Sequence, residues 1–266
     1  MKKVWKKTGH VVYSSLAILI FLTLWEVLGR LGVLVNPLFL PPFTEVMAAL
    51  GKETASGALW RHAAISLQRS LLGFGLGLTV AIPLGLAIGW VKKFGQFLSP
   101  LLQLFRNMPV LALLPVFVMF FGIGEVSKVT VIFWGVLWAV LLNTVSGVRS
   151  VDPQLVKASR SMGTRPVRLF ASVILPASLP HIFTGARISA TNSILILIAA
   201  EMIAANRGLG YALYFYQANM KVPEMFAYIV VMAVMGVLLN YSLEALERRS
   251  FRWRDEAGTT AAKPAA

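Results

Sequence analysis

Long runs of uncharged apolar residues dominate this chain, and a run of roughly 20 is what an α-helix needs to cross a hydrocarbon layer about 30 Å thick. Six such runs occur: Val11 to Leu31, Leu71 to Trp90, Phe97 to Phe121, Lys128 to Val148, Ile182 to Ala204 and Phe226 to Leu246. Each is continuous and lacks the two-residue alternation of a membrane barrel, so helices that satisfy their own backbone hydrogen bonds are expected. The fold class read from this pattern is all-α, a polytopic membrane protein with about six transmembrane helices. Composition agrees, since 14% of the 266 residues are charged, against about 25% in soluble domains. An ordinary soluble enzyme is excluded.

The net charge of +14 would point to nucleic acid in a soluble protein, but in so apolar a chain membrane topology accounts for it and no nucleic-acid partner is expected. When the spans alternate, sixteen Lys and Arg fall on one side and seven on the other, with Arg106 and Arg187 inside spans. Short loops rich in Lys and Arg stay in the cytoplasm, so both termini are read as cytoplasmic. The start Met1-Lys2-Lys3-Val4-Trp5-Lys6-Lys7 precedes an apolar stretch too long for a signal peptide and without a small-x-small cleavage site. The expected organisation is a basic cytoplasmic N-terminus (1–10), a first span (11–31), an outer amphipathic connection along the membrane surface (32–70), a core with five spans (71–248) and a tail (249–266) that is basic, then of disorder-promoting composition. Within the core, a loop at 149–181 is too polar to span, yet Leu155, Val156, Met162, Leu169 and Phe170 give it a helical apolar pattern.

That loop reads Val156-Lys157-Ala158-Ser159-Arg160-Ser161-Met162-Gly163, and ten positions after Gly163 come Val173-Ile174-Leu175-Pro176. It resembles the coupling motif of bacterial ABC-importer permeases: Glu-Ala-Ala, three residues, Gly, nine residues, Ile, one residue, Leu-Pro. Ala158, Gly163, Val173, Leu175 and Pro176 match in identity or kind, while Lys157 and Ser159 depart from it. In physical terms the loop is a helix, a break at a permissive glycine, a second helix, and a proline expected to end it before the fifth span. The resemblance extends through Leu40-Pro41-Pro42-Phe43-Thr44-Glu45-Val46, Phe105-Arg106-Asn107-Met108-Pro109, Phe121-Gly122-Ile123-Gly124-Glu125 and Glu201-Met202-Ile203-Ala204-Ala205-Asn206-Arg207-Gly208-Leu209-Gly210. These segments look like the nitrate, sulfonate, taurine and bicarbonate branch. The aliphatic-sulfonate permeases are closest in look, helped by the basic end Arg249-Ser250-Phe251-Arg252-Trp253-Arg254.

Several residues carry more than one reading. Gly73, Gly77, Ala81, Gly85 and Gly89 recur every four residues, which predicts close helix packing and not a nucleotide loop. Arg106 lies roughly 14 Å into a straight third span, near the midplane, where a cation either serves an anion's path or snorkels and bridges helices. Asn192 reaches similar depth in the fifth span; with Asn107, Thr191 and Ser193 it forms a candidate polar pathway, and Pro109 and Pro115 would free carbonyls along it. Glu201 falls near the outer surface, too far from Arg106 to pair with it, as an outer-gate or loop-anchoring residue or as a cap on the Gly208 to Gly210 turn. Arg187 is expected to snorkel, and His181 to be loop punctuation. Without cysteine, and with His10, His62 and His181 scattered, no metal site is expected.

The resemblance implies a type I ABC-importer permease fold and a transport subunit, not an enzyme. It also implies a homodimer, two copies of an ATPase docked on the loop around Ala158 to Pro176, and a periplasmic or lipid-anchored substrate-binding protein. No Gly-x-x-x-x-Gly-Lys-Ser/Thr occurs in the chain, so ATP and Mg belong to the partner ATPase, and this chain needs no cofactor beyond membrane lipid around it. The cargo expected is a small anion such as an aliphatic sulfonate, taurine, nitrate or bicarbonate, in the bacterial inner membrane. A pyrimidine or other small organic nutrient is the alternative. A self-contained secondary transporter would need paired inverted repeats and ionisable coupling residues at the midplane, and an intramembrane enzyme would need a catalytic pattern such as His-Glu-x-x-His, which is absent.

Overall fold

The structure, a computed structural model, describes residues 2–31 and 39–250. Its centre is the trio α3 (Ala58–Trp90), α6 (Glu125–Arg149) and α9 (Leu175–Ala204). Helix α3 carries its small residues on one face and large ones on the other: Gly73, Gly77, Ala81 and Gly85 are buried, while Leu72, Leu76 and Val80 are exposed. A water-soluble helix would do the reverse. In a bilayer the large apolar side chains meet acyl chains, and helix association rests on close backbone approach instead.

The register of that approach is regular. A Cβ at Gly73 would stand 2.6 Å from Ile132, at Gly77 2.5 Å from Val136, at Gly85 2.7 Å from Thr144, and at Gly89 2.6 Å from Val148. Each step of four on α3 matches a step of four on α6, so the two helices run parallel and the chain between them must cross back. On its other side α6 meets α9 antiparallel, with Gly147 against His181 and Gly185 against Asn143. Helix α6 is therefore buried along most of its length, with Ile132, Val136, Val140 and Leu141 fully enclosed.

The return crossing is not the straight third helix read from the sequence. Helix α4 (Lys92–Arg106) stops at Asn107, a 3-10 turn (Val110–Leu113) follows Pro109, and α5 (Leu114–Phe121) resumes at an angle of 87°. Pro109 offers no N–H and drives Met108 away from helical backbone angles, which accounts for the break. Among the described residues four helices are long and apolar enough to span a membrane, or five if this bent pair is one span. The first expected span lies in α1 (Lys2–Leu31), one helix without a break near residue 10.

The outer connection also differs. Helix α2 (Phe43–Ala55) is a separate amphipathic helix whose buried Val46 and Ala49 pack against Ala227 of α11 (Val222–Ser250). Residues 58–70, expected on the membrane surface, are instead the first turns of α3. Gly57, at φ +73°, makes the turn between them. Helix α1 joins this group through Trp25, which donates to the Pro41 carbonyl at 3.1 Å and packs at a tilt against Phe43 and Phe226. Of the tail, 251–266 lie outside the described residues, as does 32–38 of the connection.

Candidate functional site

At the end where α3 and α6 terminate, the chain makes α7 (Pro153–Ser161), a tight turn, and α8 (Pro166–Leu169). Asp152 caps α7, its carboxylate accepting from the Gln154 N–H at 2.7 Å, with Pro153 pre-set at the first helical position. Gly163, at φ +73°, closes the helix: its N–H donates to Arg160 O at 2.9 Å and the Thr164 N–H to Ser159 O at 3.2 Å. This pair of bonds is the Schellman arrangement, which needs a left-handed residue at that point. The inner side of the unit rests on Val148, Val151 and Ile174, with Val156, Phe170, Val173, Leu86 and Trp90 packed around them.

Its outer side is bare. Leu155 is 54% exposed and Met162 77%, and such an apolar patch on a polar loop marks a protein interface; Val167, also exposed, lines a groove shared with Leu86 and Ala87 of α3. Lys157 and Ala158 are exposed and Ser159 half-buried. Leu175 and Pro176 lie in the first turn of α9, so Pro176 does not end a helix as its sequence context implies. A π-helical turn, Phe170–Ile174, connects α8 directly to α9 and gives one helical stretch from Pro166 to Ala204. That wider turn leaves room where a proline ring presses on the carbonyl four residues back. His181 is likewise inside α9, with Nε2 3.2 Å from Ser150 Oγ.

The opposite end holds a buried ion network. The Glu201 carboxylate, fully enclosed, accepts from Arg69 Nη1 at 2.7 Å, from Ser66 Oγ at 2.8 Å and from the Gly210 N–H at 2.9 Å. Arg69 also forks onto both oxygens of Glu125 and donates to the Arg207 carbonyl. Ser66 Oγ receives the Leu209 N–H, and His62 Nδ1 receives the Gly208 N–H. Gly208 has φ +119°, and any Cβ there would strike the Glu201 carboxylate. Glu201 thus anchors the 205–210 turn, which leads into α10 (Leu209–Ala218), and ties α9 to α3 and α6. Next to it, Glu53 accepts from Tyr216 and Tyr228 hydroxyls at 2.8 and 2.9 Å; burial and that carboxylate push the Tyr216 phenol well above its ordinary pKa.

The sequence leaves Arg69 in the outer amphipathic connection (32–70) and assigns it no role. The signal was there: His62, Ser66, Arg69, Gly73 and Gly77 are spaced by four, three, four and four, a single helical face that continues the glycine stripe as a polar one. Arg106 and Asn107 sit exposed at the α4 break, with Asn107 Nδ2 donating to the Gln103 carbonyl at 2.8 Å. Because α4 ends there, the depth counted along a straight helix does not apply. Thr191 and Asn192 are exposed on α9, whereas Ser193 is buried against α3, its Oγ 3.1 Å from Ser70 Oγ. Arg187 is held by Asn240 and Glu244 of α11 at 3.1 and 3.4 Å. Among the described residues no His, Asp and Glu group is placed to hold a metal ion.

The family described as binding-protein-dependent transport system inner membrane component matches residues 77–252. The taurine transport system permease protein TauC of Escherichia coli is 36% identical over 257 residues, covering 95% of this chain and 93% of that protein. The putative aliphatic sulfonates transport permease protein SsuC of Bacillus subtilis is 34% identical over 254 residues, covering 94% and 92%. In solved structures, the MetNI methionine ABC transporter in inward-facing form superimposes with a TM-score of 0.65 at 20% identity, over 72% of this chain and 95% of that one. That likeness carries the fold, and the sequence matches carry the family. The chain belongs to the binding-protein-dependent inner membrane components, the multi-pass permease subunits of type I ABC importers that work with an ATPase and a substrate-binding protein.

Proposed function

We propose that this chain forms, as a homodimer, the translocation path of an importer for taurine or another small sulfonate. The positive-inside charge bias puts both termini and the α7–α8 unit in the cytoplasm. Each of two ATPase subunits, which hold the ATP and Mg, grips one such unit. A periplasmic or lipid-anchored binding protein delivers the anion to the opposite face, where the Glu201 network holds the 205–210 turn. The observation that carries this reading is the exposed apolar side of a rigidly capped helix–turn–helix, Leu155 and Met162, mounted on α6 and α9. Relatedness to taurine and sulfonate permeases supports the cargo.

When ATP closes the ATPase pair, the α7–α8 unit moves as a rigid body and tilts α9 with it, a hinge-type transition from inward-open to outward-open. Arg106 and Asn107 at the α4 break, with Thr191 and Asn192, are the polar groups offered to the anion. Arg106 supplies a forked donor suited to sulfonate oxygens. The test is ATPase activity of the purified complex in lipid with taurine-loaded binding protein. Stimulation is expected in wild type and its loss in Gly163→Pro, which cannot adopt the positive φ of this turn. Failure of any ATPase to copurify would overturn the importer reading. Stimulation by a pyrimidine-loaded protein in place of a sulfonate-loaded one would overturn the cargo.

A further inference from the structure

Two depressions meet at Trp90, where α3 ends. The first, about 680 Å³, is lined by Lys92 and Gln96 of α4, Arg149 at the end of α6, and Lys157 and Arg160 of α7. Four cations face it, and no acidic side chain is among the described residues that line it. The second, about 480 Å³, is lined entirely by apolar residues: Pro83, Leu86 and Ala87 of α3, and Pro166, Val167 and Phe170 of the coupling unit, with Trp90 shared by both depressions. Pro83 lies seven residues before Trp90, so the groove runs roughly 10 Å along α3 into the span. A water-soluble partner does not reach that depth, whereas an acyl chain occupies it by default.

The cationic cleft is also separate from the surface offered to an ATPase. Pro153, Val156, Lys157 and Arg160 share one face of α7 and line the cleft. Leu155, Ser159 and Met162 are spaced by four and three along another face. One helix can thus hold a protein on one side and a headgroup on the other. Clustered cations at the cytoplasmic end of a span are the electrostatic counterpart of an anionic headgroup.

We propose that the cleft and groove together bind one anionic phospholipid per protomer. Its phosphate sits among Lys92, Arg149, Lys157 and Arg160, and one acyl chain lies along Leu86, Ala87 and Phe170. The lipid then staples the coupling unit to α3, so the anionic content of the inner leaflet governs how stiffly the unit is held. This rests on the cytoplasmic placement of α7.

The experiment is native mass spectrometry of the full permease–ATPase complex titrated with phosphatidylglycerol or phosphatidylcholine. One phosphatidylglycerol per permease chain is expected, with phosphatidylcholine retained far more weakly. Lys92→Gln with Arg149→Gln, both exposed positions, should weaken phosphatidylglycerol binding about 25-fold, at about fivefold for each cation removed. Ala87→Phe, which fills the groove and leaves every cation in place, should weaken it as well. Equal retention of both lipids, no change in the charge variant, displacement by soluble glycerol phosphate, or loss of the lipid whenever the ATPase is bound would each overturn the proposal. Copurification of the ATPase is read in the same spectra, so a failure of the importer reading is distinguished from a failure of the lipid site.

Discussion

The contact between Arg69 and Glu201 carries a definite energetic consequence. The Arg69 side chain is 3% exposed and that of Glu201 0%, at 2.7 Å, so both ions have given up water and depend on their partners. Removing one member of such a pair costs about 3–5 kcal/mol because the other charge stays buried. Glu201→Gln keeps one of the two acceptor oxygens, so a loss near the lower end, about 3 kcal/mol, is expected; Glu201→Ala should approach the upper end. Glu125, whose side chain is 62% exposed, pairs with the same arginine from the solvent side, and Glu125→Gln should cost about 1 kcal/mol or less. The assay is equilibrium unfolding of the purified protein in mixed micelles, run as a double-mutant cycle of Arg69→Met and Glu201→Gln. A coupling energy above about 1.5 kcal/mol is expected for residues in direct buried contact. Additivity of the two single variants, or equal losses from Glu125→Gln and Glu201→Gln, would refute the argument.

Three further outcomes follow from the packing and the caps. Gly77→Leu places a side chain where even a Cβ stands 2.5 Å from Val136; overpacking should cost about 1–3 kcal/mol or more in the same unfolding assay, while Gly75→Leu, with open space around it, should cost far less. At Gly163 nothing lies within 4 Å, so substitutions there report backbone strain alone: Gly163→Ala should cost about 1–2 kcal/mol and Gly163→Asn less, seen as a graded loss of ATPase stimulation. Asp152→Ala removes the α7 cap, worth about 1 kcal/mol, and in a nine-residue helix this should appear as faster amide exchange across Gln154 to Lys157 with no change in α6.

The small-residue stripe and the Lys157 to Gly163 break are local patterns, and local patterns survive in a sequence because helix period and backbone permissiveness are properties of a few adjacent residues. The start of α3 was harder to read. His62 and Arg69 are polar enough to be left in a surface amphipathic connection, and only their partners Gly208 and Glu201, more than 130 positions away, make them compatible with a buried helix. The bend at Pro109 was visible as a proline, but its angle is decided by what α5 packs against. Pro176 reads as a helix end for a related reason: a π turn just before it absorbs the proline, and nothing in Phe170–Ile174 announces the extra residue.

The α7–α8 unit and the Glu201 network, although at opposite ends, belong to one mechanical element. Helical backbone runs from Pro166 to Ala204, and Glu201 stands thirty-five residues beyond Pro166, about 50 Å at helical rise. Along that length α9 is braced by α6, where Gly147 and Gly185 let the backbones approach until a single Cβ would collide, and α6 is braced in turn by the α3 stripe. Contacts of this density have few intermediate arrangements, so a push on α8 cannot be absorbed along the way by loosened side chains. It is delivered either at the π turn or at the far end, where Glu201 holds the 205–210 turn through the Gly210 N–H and holds α3 through Arg69 and Ser66. A buried ion cluster at that point fits the task better than an apolar contact would, because its bonds are directional and register a small rotation of α9 as a change of partner.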